Sequence, residues 1–272
     1  MKKKIRISGV LFYIALAVFI INILGILGTV VLNSVGKEWY GGIFPKYFTL
    51  EWYSYMAKDH DLPQLLFVTF AVVISVTAIA LLIGIPTAYG LARYDFKFKG
   101  LLLSMLLLPM LIPPMTYGIP LAAMLYKVGL ATKISGVIIA NLIPIVPFVI
   151  LILTPFIEQI DPNIESAAKI LGAGRFQTFL KILIPLSLPG IFTASILSIV
   201  RTIAMFELTF LVSGPKSQTI VVALYYDAYA AGVRPPQAID ALAVVYFLIT
   251  MTCLVIALRF VSPTQMVFRL ED

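Results

Sequence analysis

The residues able to do chemistry in this chain are few, and they gather in two places. The first is the run Glu165-Ser166-Ala167-Ala168-Lys169-Ile170-Leu171-Gly172-Ala173-Gly174-Arg175, which leads on to Pro185. Asp161 can cap a helix that begins at Pro162, since an Asp cap followed by proline is a favourable helix start. Glu165 falls near the positively polarised end of that helix. Ser166, Ala167 and Ala168 give it little bulk, so another surface can approach closely. Gly172 ends it, because glycine accepts the left-handed conformation that a helix stop needs. A second short helix is expected over Arg175–Ile184, stopping at Pro185. This is the design of a stiff lever, not of a catalytic centre.

The second place holds Arg201, Met205, Phe206 and Glu207, inside an otherwise apolar stretch. Charges in such a stretch are costly and face a cavity or a partner. Arg201 and Glu207 are six residues apart, about 600° around a continuous helix at 3.6 residues per turn, so they are not expected to pair. Glu207 reads as facing a wet cavity, and Arg201 as facing another protein surface. Met205 and Phe206 read as packing or gate residues. Since this stretch follows the lever, motion of the lever is expected to reach Glu207 along a continuous chain.

Other chemistries are excluded by what the chain lacks. His60 is the only histidine and Cys253 the only cysteine, so an intrachain disulfide, a thiol cluster and a histidine-based metal site are all unexpected. No Ser/His/Asp constellation is present. Gly214-Pro215-Lys216-Ser217 resembles the end of a phosphate-binding loop, but the upstream glycine is missing and Pro215 intrudes.

The elements that must position these residues are membrane helices. The chain is 61% hydrophobic and 12% charged, with a mean hydropathy of +1.02. Soluble domains carry roughly 25% charged residues, so the bilayer must be the solvent here. Spanning the hydrocarbon takes about 20 mostly apolar residues. Stretches of that kind run over Val10–Leu32, Leu65–Ala92, Leu101–Tyr126, Gly136–Ile157, Leu188–Val212 and Ala241–Val261. The first is too long for a signal peptide and no A-x-A-like site closes it, so it is read as retained. The expectation is one all-α transmembrane domain over residues 1–272. Its core is near 64–262, and the loop bearing the lever lies near 158–186.

Asn33 to Pro63 reads as a long polar and aromatic loop with Trp39, Tyr40, Tyr47, Trp52 and Tyr53, rings that favour the membrane interface. Ser213 to Asp240 reads as a second loop. Pro86, Pro113, Pro114, Pro120, Pro144, Pro147 and Pro155 point to irregular helices beside a cavity.

With the N-terminus inside, the inner loops hold Lys2, Lys3, Lys4, Arg6, Arg93, Lys97, Lys99, Lys169, Arg175, Lys181, Arg259 and Arg269. The outer loops hold fewer basic residues: Lys37, Lys46, Lys58, Lys127, Lys133, Lys216 and Arg234. Both termini are therefore expected in the cytoplasm. This loop bias accounts for the net charge of +7 without any nucleic-acid partner.

The segment E-S-A-A-K-I-L-G, with K-I-L-I-P-L after it, resembles the EAA loop of permease subunits in binding-protein-dependent ABC importers. The family pattern is E-A-A-x-x-x-G, then nine residues, then I-x-L-P. Gly172 stands seven residues after Glu165, one more than the pattern has, and Ile184 stands for the leucine before Pro185. Further runs look like the same class: N-S-V, Y-F-T-L-E-W-Y, A-Y-G-L-A-R-Y-D-F-K-F-K-G and F-L-V-S-G-P.

The resemblance implies a type I importer permease fold of six transmembrane helices in the bacterial inner membrane. It makes the loop a coupling helix seated in a cleft of an ATPase subunit. Glu165, Ser166, Ala167, Ala168, Gly172, Gly174 and Pro185 would serve that coupling, while Glu207 would face the translocation path or its gate and Arg201 the partner permease. It implies a second homologous permease, two ATPase subunits and a solute-binding protein as partners. The chain itself would be no enzyme and bind no cofactor; ATP and magnesium would be used by the ATPase.

The S-G-P and P-P-Q-A-I-D-A-L-A runs lean towards the polyamine, opine and phosphonate branch, with a maltose-type carbohydrate importer as the alternative. Two further readings are a six-helix membrane enzyme or scaffold, which would need clustered acids or histidines, and a proton-driven carrier, which would lack the Glu165–Gly172 loop.

Overall fold

Backbone polar groups in hydrocarbon must be satisfied within their own segment, which leaves helices as the open-ended way to span a bilayer. The computed structural model is built almost wholly of them. It describes residues 7–39, 42–229 and 234–260. Lys2, Lys3, Lys4, Arg6 and Arg269 of the charge-bias reading, with Tyr40 and Val261, lie outside the described residues. Among those described, four helices are long and apolar enough to cross a membrane, and the number rises to six if each of two bent helix pairs counts as one span.

Contacts divide the chain into two compact units. One comprises residues up to Leu62 together with Leu224–Leu248. It contains α1 (Ile7–Ser34), a short antiparallel pairing of β1 (Gly36–Lys37) with β2 (Tyr47–Phe48), and α2 (Glu51–Asp59). It also holds the latter part of a helix over Ile220–Tyr229 and the first half of one over Pro236–Phe260. The stretch expected to be a loop after the first span is thus folded. Trp52 Nε1 donates to the Gly36 carbonyl at 2.8 Å and the Tyr53 and Ser34 hydroxyls meet at 2.8 Å. Asn33 donates to Asp240.

The second unit covers Pro63–Ala223 and the chain from Ile249 onward. Its helices are α3 (Leu62–Arg93), α4 (Lys99–Leu111), α5 (Pro114–Lys127), α6 (Ile134–Glu158) and α7 (Pro162–Ile170). After them come α8 (Arg175–Thr178), a π-helical turn over Phe179–Leu183, α9 (Ile184–Leu186), α10 (Leu188–Ile203) and α11 (Glu207–Val212). The helix over Ile220–Tyr229 is α12 and that over Pro236–Phe260 is α13.

The centre of this unit is α6, which packs against α4, α5, α10 and α11. Its Val137, Ile145, Val149, Leu153 and Ile157 are fully buried with Val68, Val72, Val76, Ala80 and Ala88 of α3. In a bilayer such association comes from close packing rather than escape from water, so small residues matter at the crossings. A side chain at Gly84 would sit 2.5 Å from Val149 Cγ1, and one at Gly190 would run into Phe156.

Three helix expectations are corrected. The third span is not one helix: α4 and α5 meet at 93°. Pro113 and Pro114 stand together there, each without a donor and each forcing extended backbone on its predecessor. Ile112 and Pro113 accordingly take ψ 132° and 131°. By contrast α3 runs through Pro86 and α6 through Pro144, Pro147 and Pro155 without interruption, so isolated prolines do not make those spans irregular.

The second correction is at Pro185, which does not stop the chain. The π-helical turn and α9 carry it to Leu186, and the helix bends by 70° at Ser187 instead. Pro185 sits at the start of α9, where its missing N–H matters little. The third is the fifth span, which breaks between Ile203 and Glu207, so Arg201 and Glu207 belong to different helices.

The F-L-V-S-G-P run closes a tight knot rather than a phosphate loop. Ser217 Oγ accepts from Gly214 N at 2.9 Å and donates to the Thr132 carbonyl at 2.8 Å. Thr132 takes a φ of 64°, costly for a β-branched residue, and its N–H is fixed on the Val212 carbonyl.

Candidate coupling helix and intramembrane charges

The start of α7 is capped as its sequence requires: Asp161 Oδ1 accepts from Asn163 N at 2.9 Å and Pro162 opens the helix. Its end is a Schellman stop. Gly172 has a φ of +84°, its N–H bonds the Lys169 carbonyl, and Ala173 N bonds the Ala168 carbonyl. A side chain at Gly172 would meet no neighbouring atom, so the demand for glycine comes from the backbone alone.

The face that α7 turns inward carries Glu165 and Ala168, 7% and 6% exposed. Glu165 is held on both oxygens. Tyr89 OH donates to Oε2 at 2.8 Å, and Arg93 Nε donates to Oε1 at 2.6 Å. Arg93 Nη2 also donates to the Ile160 carbonyl at 2.6 Å, just beyond the end of α6. The resemblance placed Glu165 among the residues that would serve coupling. Here its carboxylate is spent inside the chain, because a carboxylate this buried requires charged and hydrogen-bonding neighbours.

Ser166, Ala167, Gly172, Gly174 and Pro185 are exposed. Three more residues stand out into the open and were missed: Ile170 and Leu171, 86% and 87% exposed, and Phe176. All three are large apolar side chains that flank the Gly172–Gly174 turn in the chain. The signal was present in Ile170-Leu171 directly before the stop glycine, off the face defined by Glu165 and Ala168.

At the second place, Glu207 is the first residue of α11 and half-buried. Its carboxylate has no hydrogen bond or ion pair among the described residues. Arg201, on α10, lays its guanidinium over the Phe148 ring at 4.7 Å and does not pair with Glu207. Tyr117 of α5 lies within electrostatic reach of both charges. Met205 is buried with Leu208, Val212 and Ala122, and Phe206 stacks on Phe210 at 5.2 Å. Sequence reasoning missed Asn141 beside them. It is fully buried on α6, its Nδ2 donating to Thr209 Oγ1 at 3.0 Å while Oδ1 has no partner. An Asn in the middle of an apolar span was the available clue.

The first unit holds a charged cluster that sequence spacing could not reveal. His60 Nε2 lies 2.6 Å from Asp227 Oδ2, and Arg234 bridges Asp227 and Asp59. Among the described residues no group of acidic, histidine or cysteine side chains is arranged to hold a metal ion.

Residues 80–266 match the family described as binding-protein-dependent transport system inner membrane component. The chain is 33% identical over 190 residues to the sulfoquinovosyl glycerol transport system permease protein SmoH of Agrobacterium fabrum, covering 69% of this chain and 67% of that one. It is 26% identical over 237 residues to the spermidine/putrescine transport system permease protein PotC of Escherichia coli K12, covering 87% and 84%. The fold is similar to that of a chain in the crystal structure of a bacterial ABC transporter that imports the acidic polysaccharide alginate. The TM-score there is 0.80 at 16% identity, over 95% of this chain and 98% of that one. A chain of the inward-facing MetNI methionine ABC transporter gives 0.59 at 16% identity, over 73% and 93%.

Proposed function

The chain belongs to the binding-protein-dependent transport system inner membrane components, and on that premise we propose that α7 is the helix through which a separate ATPase drives the pore. It is the permease subunit of an ABC importer, a multi-pass inner-membrane protein without catalytic activity of its own. Its partners are of the ATPase and solute-binding-protein kind.

The observation that carries the coupling reading is the contrast between the two faces of α7. One face is anchored through Glu165, and the other end presents Ile170, Leu171 and the Gly172 turn to whatever seats there. A cleft in the ATPase closing on those apolar residues would push a helix that cannot shear away from its own bundle. In the full assembly this chain pairs with a second, homologous permease, two ATPase subunits and a solute-binding protein. ATP and Mg2+ are used by the ATPase. Both termini lie in the cytoplasm, which puts α7 on the ATPase side of the membrane.

The substrate reading is a small polyamine-like cation. The match to PotC along most of both chains supports it, as does a half-buried Glu207 without a cationic partner. A glycoside is the second reading, favoured by the higher identity to SmoH. The test is affinity purification of the tagged chain, followed by uptake into proteoliposomes of the recovered complex with its binding protein. The expected result is co-purification of an ATPase and a distinct permease, with ATP-dependent uptake of radiolabelled spermidine. Two copies of this chain with no other permease would reject the hetero-pair. Uptake of a glycosyl glycerol but not spermidine would decide for the second reading.

A further inference from the structure

Tyr89 and Arg93 lie one turn apart on the same face of α3, at its end. Between them they hold three other segments. Both bind Glu165 of α7, and Arg93 also binds the carbonyl of Ile160. The Tyr89 ring packs on Phe179 of the π-helical turn, 5.4 Å between centroids. We propose that Tyr89 and Arg93 are positioning residues for coupling: they hook α7 onto α3, so that motion delivered to α7 enters the bundle sideways through α3. The inference rests on α7 being the coupling helix.

The chain itself offers a poorer route. From α7 towards α10 it passes a left-handed glycine at Gly172, the π-helical turn and the 70° bend at Ser187. Each of these joints can absorb displacement. The lateral route is short, buried and charge-assisted, with an Arg93 side chain 10% exposed against a Glu165 side chain 9% exposed. Charge-assisted bonds are roughly twice as strong as neutral ones.

Beyond the hook, α3 runs for 32 residues without a break, about 48 Å at 1.5 Å per residue. It is wedged against α6 at Gly84–Val149. Near its other end Thr69 Oγ1 accepts from Ile220 N at 3.1 Å, the first residue of α12. A pull on Glu165 therefore arrives across the bundle as displacement of α3. The choice of arginine fits this task. Its rigid fork serves Glu165 and Ile160 at a fixed angle, which a lysine ammonium cannot do.

The test uses the intact complex with its ATPase subunits in lipid nanodiscs, in a Cys253→Ser background. A fluorophore is placed at Phe67→Cys on α3 or at Phe192→Cys on α10, both exposed positions. The probe is ATP with orthovanadate. Both labels respond in the parent. Arg93→Leu should cut the α3 response about tenfold, within the usual range of coupling between sites, and leave the α10 response within about twofold. Arg93→Lys should fall between. Tyr89→Phe keeps the ring on Phe179 and loses only the hydroxyl, so a partial loss of the α3 response is expected even if Arg93→Leu fails to assemble. The exchange of Arg93→Glu with Glu165→Arg should restore part of the signal. An undiminished α3 response in Arg93→Leu, or in Tyr89→Phe and Arg93→Lys where that variant fails to assemble, overturns the hook. Gly172→Asp separates the two ideas: if it silences both labels while Arg93→Leu behaves as the parent, α7 couples without the hook. If both labels still respond in Gly172→Asp, the coupling reading itself falls.

Discussion

Two arginine–glutamate combinations occur in the second unit, and they are opposites. Arg93 and Glu165 are 72 residues apart in sequence and make a buried ion pair at 2.6 Å. Arg201 and Glu207 are near neighbours in sequence and make none; Arg201 rests on Phe148, and Glu207 stands at the mouth of a helix break. A paired charge fixes one geometry, because opening it leaves a buried ion uncompensated. An unpaired carboxylate keeps its capacity for a ligand, for water or for a different partner in another state. The comparison separates a closed, buried pair from an open carboxylate at a helix break.

The largest effect should come from loading the exposed end of α7. Ile170→Asp combined with Leu171→Asp, or Gly172→Asp alone, should reduce ATP-dependent uptake by about a hundredfold, the upper range for loss of coupling between sites, while the chain still inserts. The Gly172 change puts a side chain where φ is +84°, and the double change charges the surface offered to the ATPase. Normal uptake in vesicles by either variant would remove α7 from the mechanism.

Glu165→Lys should come next. It sets two cations against each other where one pair was buried, and breaking a buried pair costs about 3–5 kcal/mol. A lower detergent melting temperature together with lost transport is expected. A wild-type melting curve would mean the pair is not formed.

At the open site the losses should be functional and not structural. Glu207→Gln and Glu207→Leu should keep expression and ATPase assembly and lower uptake about tenfold, since an intramembrane acid is costly to keep unless used. A cysteine at 207, with Cys253 replaced, should react with a hydrophilic thiol reagent in one nucleotide state more than in another. If it is inert in every state and Glu207→Leu transports normally, the contrast between the two combinations collapses.

The smallest effect is expected at Phe148→Leu, which keeps an apolar side chain and removes the ring under Arg201. A cation–π contact is worth about 0.5–2 kcal/mol, so a shift of a few degrees in melting temperature should be seen with little change in uptake. A large loss of uptake would show that Arg201 needs its present position for function.

The stop at Gly172 and the cap at Asp161 were legible because both are local: a proline after an aspartate and a glycine after an apolar pair decide backbone geometry by themselves. The bend at Pro113–Pro114 was as local, yet it was read as part of one span because hydropathy counts residues and does not see missing donors. Glu165 was legible as a charge that fixes the helix, but its partners Tyr89 and Arg93 were not, since they come from another helix. The His60–Asp227–Arg234 cluster was invisible for the same reason. Nothing in the spacing of residues 60, 227 and 234 brings them together; the packing of α2 does.

The π-helical turn at Phe179–Leu183 has a consequence for how this segment can change over time. Such a turn is an α-helix carrying one residue too many. Losing a residue anywhere else in a helix rotates all that follows by about 100° and would swing buried faces out to lipid. Losing one residue between 179 and 183 would only relax the turn to α-helical winding and leave α10 in phase with Arg201 still aimed at Phe148. The segment between α7 and α10 can therefore shorten by one position without scrambling either, so length variation among related chains should collect there.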